Sequence, residues 1–245
     1  MNEQRRSVSI SGSGRLGGGE YERVSISGSG RVDGDVIASE LRISGSGKVA
    51  GRTEAGQIVV SGSGTFTDAV VAEEMRISGS GRVDGAVEAK ELKCSGSFRA
   101  GGDVSGEYVK ISGSMKVSGD VEVDIFKASG GFEIEGLLSA DKVEIHLGGR
   151  CSAREIGGER IIVERGTSFG GALIEGLVKM LTGGGAAELR TAQIEGDEIR
   201  LENTIADIVR GKRVVIGPNC RIGRVEYEES LQVHEDAKVE AESKT

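Results

Sequence analysis

The stretch Ile43-Ser-Gly-Ser-Gly47 decides the fold. It returns with its first residue at Ile26, Ile43, Val60 and Ile77 and, in eroded form, at Cys94, Ile111 and Ala128, each copy starting seventeen positions after the last. So short a fixed period has no room for a pair of helices. It marks a stacked solenoid whose units bury their apolar faces only against one another.

Taking the first residue of each repeat as position 0, apolar residues fall at positions 0, 6, 10, 12 and 15, and glycine favours positions 2 and 8. Position 15 carries Leu41, Ile58, Met75, Leu92, Val109, Phe126 and Val143, and two residues on, position 0 carries Ile43, Val60, Ile77, Cys94, Ile111, Ala128 and Ile145. That alternation is a strand with both side chains inward. Positions 10 and 12 repeat it with Val36 and Ala38, Val70 and Ala72, Val87 and Ala89, and Val121 and Val123. Position 6 offers one inward residue, among them Val32, Val49, Phe66, Val83, Val117 and Ile134. The pattern predicts an all-β, three-sided parallel β-helix with three short strands per turn. Serine and glycine at positions 1 to 4, and glycines such as Gly34, Gly51 and Gly85 at position 8, predict corners that need a positive φ or a missing Cβ. Most outward positions carry charge, which keeps the lateral faces wet and discourages sideways sheet growth.

The boundaries read as a short polar tail over 1–7, a regular β-helix over 8–173, an interruption over 174–190, further β-helix turns over 191–240 and a tail over 241–245. Val163, Phe169, Gly171 and Leu173 still fit positions 0, 6, 8 and 10. In the interruption, Leu173, Ile174, Leu177, Val178 and Leu181 sit at helical spacing ahead of Gly183, which predicts a short helix or bulged loop. The register resumes with Ile199 and Leu201, then Val214, Ile216 and Ile222, then Leu231, Val233 and Val239. The whole reads as one interrupted solenoid.

A net charge of −8 with both signs interspersed and no basic block argues against nucleic acid. Aromatic residues make up 3% with no Trp, so base-stacking platforms are lacking. No signal peptide or transmembrane run is read, although Arg5 and Arg6 in the polar Met1–Ser7 could touch anionic lipid weakly. Cys94 and Cys151 occupy inward positions and Cys220 follows a turn, an unpaired pattern that fits a reduced cytoplasm.

Motifs with chemical meaning fail one by one. Gly45-Ser-Gly-Lys48 lacks the earlier glycine and the following Ser or Thr of a phosphate loop, having Arg42 and Val49 there. Ile216-Gly-Pro-Asn-Cys-Arg-Ile-Gly223 holds a single six-residue step similar to that of left-handed β-helix acyltransferases, which repeat it many times and use a histidine base. Only His146 and His234 exist, both read as solvated residues on strand faces. With scattered cysteines they make no metal shell. Glu73-Glu74 and Glu228-Glu229 read as wet edges rather than an acid and base pair. No catalytic, cofactor-binding or metal-binding residue is expected.

The repeated Ile-Ser-Gly-Ser-Gly-Arg-Val-Asp-Gly-Asp-Val of Ile26 to Val36, its near copy at Ile77 to Val87 and the weaker Ile111 to Val121 resemble the bactofilins, bacterial polymer-forming cytoskeletal proteins. Val209 to Asn219 with Gly223 to Tyr227 looks like the C-terminal section of the longer form found in Bacillus and Clostridium relatives. The resemblance implies a right-handed coil that assembles end to end without nucleotide into cytoplasmic filaments or scaffolds for shape, polarity or motility. It implies self-association, a paralogous bactofilin and membrane-associated or envelope proteins as partners, placement at the inner face of the membrane through a partner, and no small-molecule substrate. The family's apolar N-terminal membrane patch has no match in Met1 to Ser7. An uncapped β-helix ends in unpaired backbone and exposed inward residues. The expected joints are therefore Val8, Ile10 and Leu16 at one end and Leu231, Val233 and Val239 at the other. Competing readings are an acyltransferase-like enzyme built as a trimer with clefts near His146 or His234, and a monomeric β-helix adaptor.

Overall fold

The structure, a computed structural model, describes residues 5–166 and 187–245. All regular structure among them is β, wound as a solenoid of parallel strands, and Cα proximity divides the chain into two compact units, Met1–Val123 and Asp124–Thr245.

The first unit opens with β1 (Arg6–Ile10), β2 (Ser13–Ile26) and β3 (Ser29–Ile43). It continues with alternating short and long strands: β4 (Ser46–Ala50), β5 (Thr53–Val60), β6 (Ser63–Phe66), β7 (Val70–Ile77), β8 (Ser80–Val83), β9 (Val87–Cys94), β10 (Ser97–Ala100), β11 (Val104–Ile111) and β12 (Ser114–Val117). Each pairs in parallel with its equivalent one repeat away, Val49 lying between Val32 and Phe66, and Met75 between Ile58 and Leu92. The regular turn thus has two hydrogen-bonded strands where three are expected. The long strand supplies two sides: in β7, Val70 and Ala72 point inward, Glu73 and Glu74 both turn out, and Met75 and Ile77 point inward again. Two outward residues in succession bend the chain without breaking its ladder.

At the sharpest corner, the amides of Ser61 and Gly62 both donate to the carbonyl of Ile43, at 2.8 and 3.2 Å. A Cβ on Gly62 would lie 2.1 Å from the Gly45 oxygen one turn away. The requirement here is a missing Cβ. Position 4, absent from the sequence pattern, also points inward: Gly47, Gly64 and Gly81 are buried, and a Cβ on Gly47 would sit 2.9 Å from Ile43 Cδ1. When position 0 shrinks to Cys94, position 4 grows to the buried Phe98. The larger side chain at position 4 fills space that the smaller one at position 0 leaves.

β13 (Val121–Ala128) contains the boundary, and the second unit continues with β14 (Gly131–Leu147), β15 (Cys151–Arg165), β16 (Leu189–Leu201), β17 (Thr204–Ile216), β18 (Arg221–Val233) and β19 (Lys238–Lys244). The same filling recurs with Ala128 and Phe132, and Phe132 meets Phe126 edge to face at 5.3 Å. The repeat is looser here. One core column runs Val143, Ile161, Ile199, Val214 and Leu231, in unequal steps of which Ile161 to Ile199 is the longest. Across that step the turns on either side stack directly, Cys151 pairing with Leu189 and Val163 with Leu201. Phe169, Gly171, Leu173 and the helical spacing read after it lie outside the described residues, while Leu189 and Arg190 belong to β16. Asn203 and Asn219 turn another corner at φ 48° and 59°, linked side chain to side chain at 3.1 Å. Asparagine tolerates that left-handed backbone better than most residues. The single hexapeptide-like step thus includes a corner shared with the neighbouring turn.

Core substitutions should separate cleanly in urea melts. Val83→Lys or Ile111→Asp places an ion at a site that is now fully buried, and should cost several kcal/mol. Thr53 is fully buried with no hydrogen-bond partner for its hydroxyl, in a column that holds Val36 and Val70 on either side. Thr53→Val should therefore stabilise the protein by about 1 kcal/mol.

Candidate functional site

The groups able to do chemistry are placed so that they do little. Cys94, Cys151 and Cys220 are buried in the core, and burial pushes each thiol up to about 11. His146 is exposed on β14, its Nδ1 3.9 Å from Glu164 Oε2. His234 accepts the Asp236 amide at Nδ1, 3.1 Å, in a surface turn. Three of the paired carboxylates are engaged with cations: Glu73 with Lys90, Glu74 with Arg76, and Glu229 with Arg213 at 2.8 Å. Among the described residues no group of three or more His, Cys, Asp or Glu could hold a metal ion. No helix among them is long and apolar enough to cross a membrane.

Charge on the strand faces is organised in ladders. Arg42 and Arg23 hold the Glu40 carboxyl below its ordinary value, Lys93 does the same to Glu91, and Lys127 with Lys142 to Glu144. In the second unit a chain runs from Arg160 to Glu198 to Arg213 to Glu229 across successive turns. For a lowered carboxyl the stabilisation is full above the unfolded value, here 4.5, and is lost as pH falls through the lower folded value. These pairs are exposed, so each contributes little.

The terminal rungs differ from the rest. In the first unit Val8 pairs with Val24, Ile10 with Ile26 and Leu16 with Val32. The inner partners are completely buried, whereas Val8 and Leu16 are half-buried; Ile10, 9% exposed, is the one of the three that is itself buried. In the second unit Leu231 pairs with Val214, Val233 with Ile216 and Val239 with Ile222. Again the inner residues are buried, while Leu231 and Val239 are half-buried and Val233 is 40% exposed. Both sets occupy the same three places of the repeat, positions 15, 0 and 6, carried outward along the ladders. Among the described residues β1 has only β2 beside it and β19 only β18, so each presents an edge of unpaired amides and carbonyls.

Sequence reading missed Tyr21. It pairs with Ala38 in a column of alanines, is 1% exposed, donates its hydroxyl to the Gly17 carbonyl at 2.7 Å and carries the Arg6 guanidinium 5.5 Å above its ring. It fills the core at the first rungs, where neighbours run out. An aromatic one full repeat before Ala38 was the available signal.

Residues 8–106 match the bactofilin family model, described as polymer-forming cytoskeletal. This segment is similar to a bactofilin domain. The match takes in Val8, Ile10, Leu16 and the Ser-Gly corners up to Gly96, and leaves Leu231, Val233 and Val239 outside it. The chain is also similar to two curated proteins of Bacillus subtilis (strain 168). One is "Uncharacterized protein YhbF", 35% identical over 44% of this chain and 41% of the relative. The other is "Uncharacterized protein YhbE", 39% identical over 44% of this chain and 43% of the relative. The chain thus spans about two fifths of the length of each curated relative it matches. No solved structure matches it. The match of residues 8–106 to a polymer-forming cytoskeletal family accords with the core placement of the thiols and the lone, solvated histidines.

Two consequences are measurable. An aromatic disulfide reagent should leave the 3 thiols unreacted at pH 8 and titrate all of them only as the fold melts. The double variant His146→Ala, His234→Ala should keep the wild-type melting curve and assembly, since neither imidazole supports the core.

Proposed function

We propose that the chain polymerises end to end, without nucleotide, into cytoplasmic filaments or scaffolds that support cell shape, polarity or motility, recruited to the inner face of the membrane by partner proteins and able to co-assemble with a paralogue. The observation that carries this reading is the partial exposure at both terminal rungs of aliphatic side chains, Val8 and Leu16 at one and Leu231, Val233 and Val239 at the other, whose ladder partners one turn inward are almost fully buried. Stacking a further rung on them restores that burial. Two or three such side chains contribute on the order of 4 to 8 kcal/mol before the loss of translational and rotational freedom. The free edges of β1 and β19 add backbone hydrogen bonds in the same act. Nucleotide independence is supported by Gly45-Ser-Gly-Lys48, which forms a corner and the start of β4 rather than a loop before a helix.

Sedimentation tests it. Val8→Asp or Val233→Glu should give folded protein that stays in the supernatant under conditions where the wild type pellets, while Arg42→Ala and Glu91→Ala should pellet like the wild type. Polymers that survive both end changes and disappear with a lateral one would mean that growth is side by side.

A further inference from the structure

The fixed step of the repeat does to charge what it does to hydrophobicity, gathering residues far apart in sequence into rows. On one side of the first unit, position 5 pairs rung by rung as Arg15, Arg31, Lys48, Thr65, Arg82, Arg99 and Lys116. Two residues earlier on each strand lies a matching row of serines from Ser13 to Ser114, all exposed. The row holds six cations within about 29 Å, at roughly 4.8 Å per rung. A chain with no basic block in its sequence thus carries a basic face.

A second row supplies an internal comparison. Position 16 is also rich in cations, but there the residue two places earlier is acidic: Arg42 pairs with Glu40, Arg76 with Glu74 and Lys93 with Glu91. Serine takes that place beside position 5, and carboxylates on this row stand two residues later, Asp33 on Arg31 and Asp84 on Arg82, along one margin. Arg15, Lys48 and Arg99 make no ion pair among the described residues. Stacking like charges one strand spacing apart is unfavourable. An anion laid along the row would relieve that repulsion.

We propose that this face, Arg15 to Lys116, binds an anionic lipid bilayer directly. The row follows one strand ladder, so its cations share one face of the coil that a flat surface can meet, whereas the phosphates of a duplex wind around its axis and turn away from any one face within half a turn. No aromatic residue stands in either outward row to stack a base, as single-stranded nucleic acid would require. Clusters of four to eight Lys or Arg at a bilayer surface are enough to hold a protein on anionic headgroups. Positions 11 and 13 on another side of the same unit are mainly acidic, including Glu54, Glu73, Glu88, Glu107 and Glu122. Against a negative surface they orient the coil with its basic face down. The inference does not depend on polymerisation, although a polymer would multiply the attachment.

Flotation with vesicles separates bound protein from free polymer, which stays at the bottom of the gradient. Full-length protein should float with phosphatidylglycerol-containing vesicles at low salt, remain below with pure phosphatidylcholine vesicles, and be released at about 0.5 M salt. Lys48→Gln with Arg99→Gln should weaken binding about thirtyfold, from roughly one headgroup interaction lost at each site. Arg76→Gln with Lys93→Gln, on the neutralised row, should leave it unchanged, and circular dichroism should show all variants folded. The proposal is overturned if anionic vesicles do not carry the protein, or if the two double variants lose binding equally. It is also overturned if the position-5 variant loses binding to duplex DNA while floating normally. Loss of salt-sensitive pelleting in that variant without lipid, with flotation intact, would assign the face to the acidic side of another copy and overturn it too.

Discussion

Everything in this protein depends on how closely the backbone of one turn approaches the next at the Ser-Gly corner. The carbonyl of Ile43 accepts two amides, from Ser61 and Gly62, and the same arrangement recurs at Ile26, Val60, Ile77 and Cys94. A Cβ on Gly62 would lie 2.1 Å from a carbonyl oxygen, inside any tolerable contact. Glycine at that point is therefore a condition of stacking, and stacking brings each inward side chain over its equivalent. The core follows from the corner.

Once that step is fixed, inside and outside obey different rules. Inside, space must be filled, and Phe98 beside Cys94 and Phe132 beside Ala128 fill what the small residue at position 0 leaves. Outside, charge is arranged along rows, with carboxylates at position 14 holding cations at position 16, and serines in place of carboxylates beside position 5. The ends satisfy neither rule. Tyr21 fills part of the core at the first rungs, and at Val233 a residue built for the core stands 40% exposed.

The coil was legible in the sequence because its period is written in residues that stacking makes obligatory: the position-2 glycines and the aliphatic pairs at positions 15 and 0. The terminal residues were legible for the same reason, being the last letters in register. Position 4 was not, since a buried glycine at Gly47 looks like any turn glycine, and its inward direction shows only when Ile43 is seen to occupy the space a Cβ would need. Nor was the merging of two sides into one strand, because the corner at Glu73 and Glu74 keeps its ladder and uses no turn residue. The basic face escaped notice because its members lie a full turn apart in the chain, and a search for blocks of charge reads along the chain rather than across it.

The central claim is that the coil continues from one molecule into the next, so that the filament axis is the coil axis. Diffraction from oriented filaments tests it most directly, because the strand-to-strand spacing of about 4.8 Å then lies along the fibre. The account predicts a strong reflection at that spacing on the meridian. The same reflection on the equator would contradict it, since the coils would then lie across the filament and some other surface would join them.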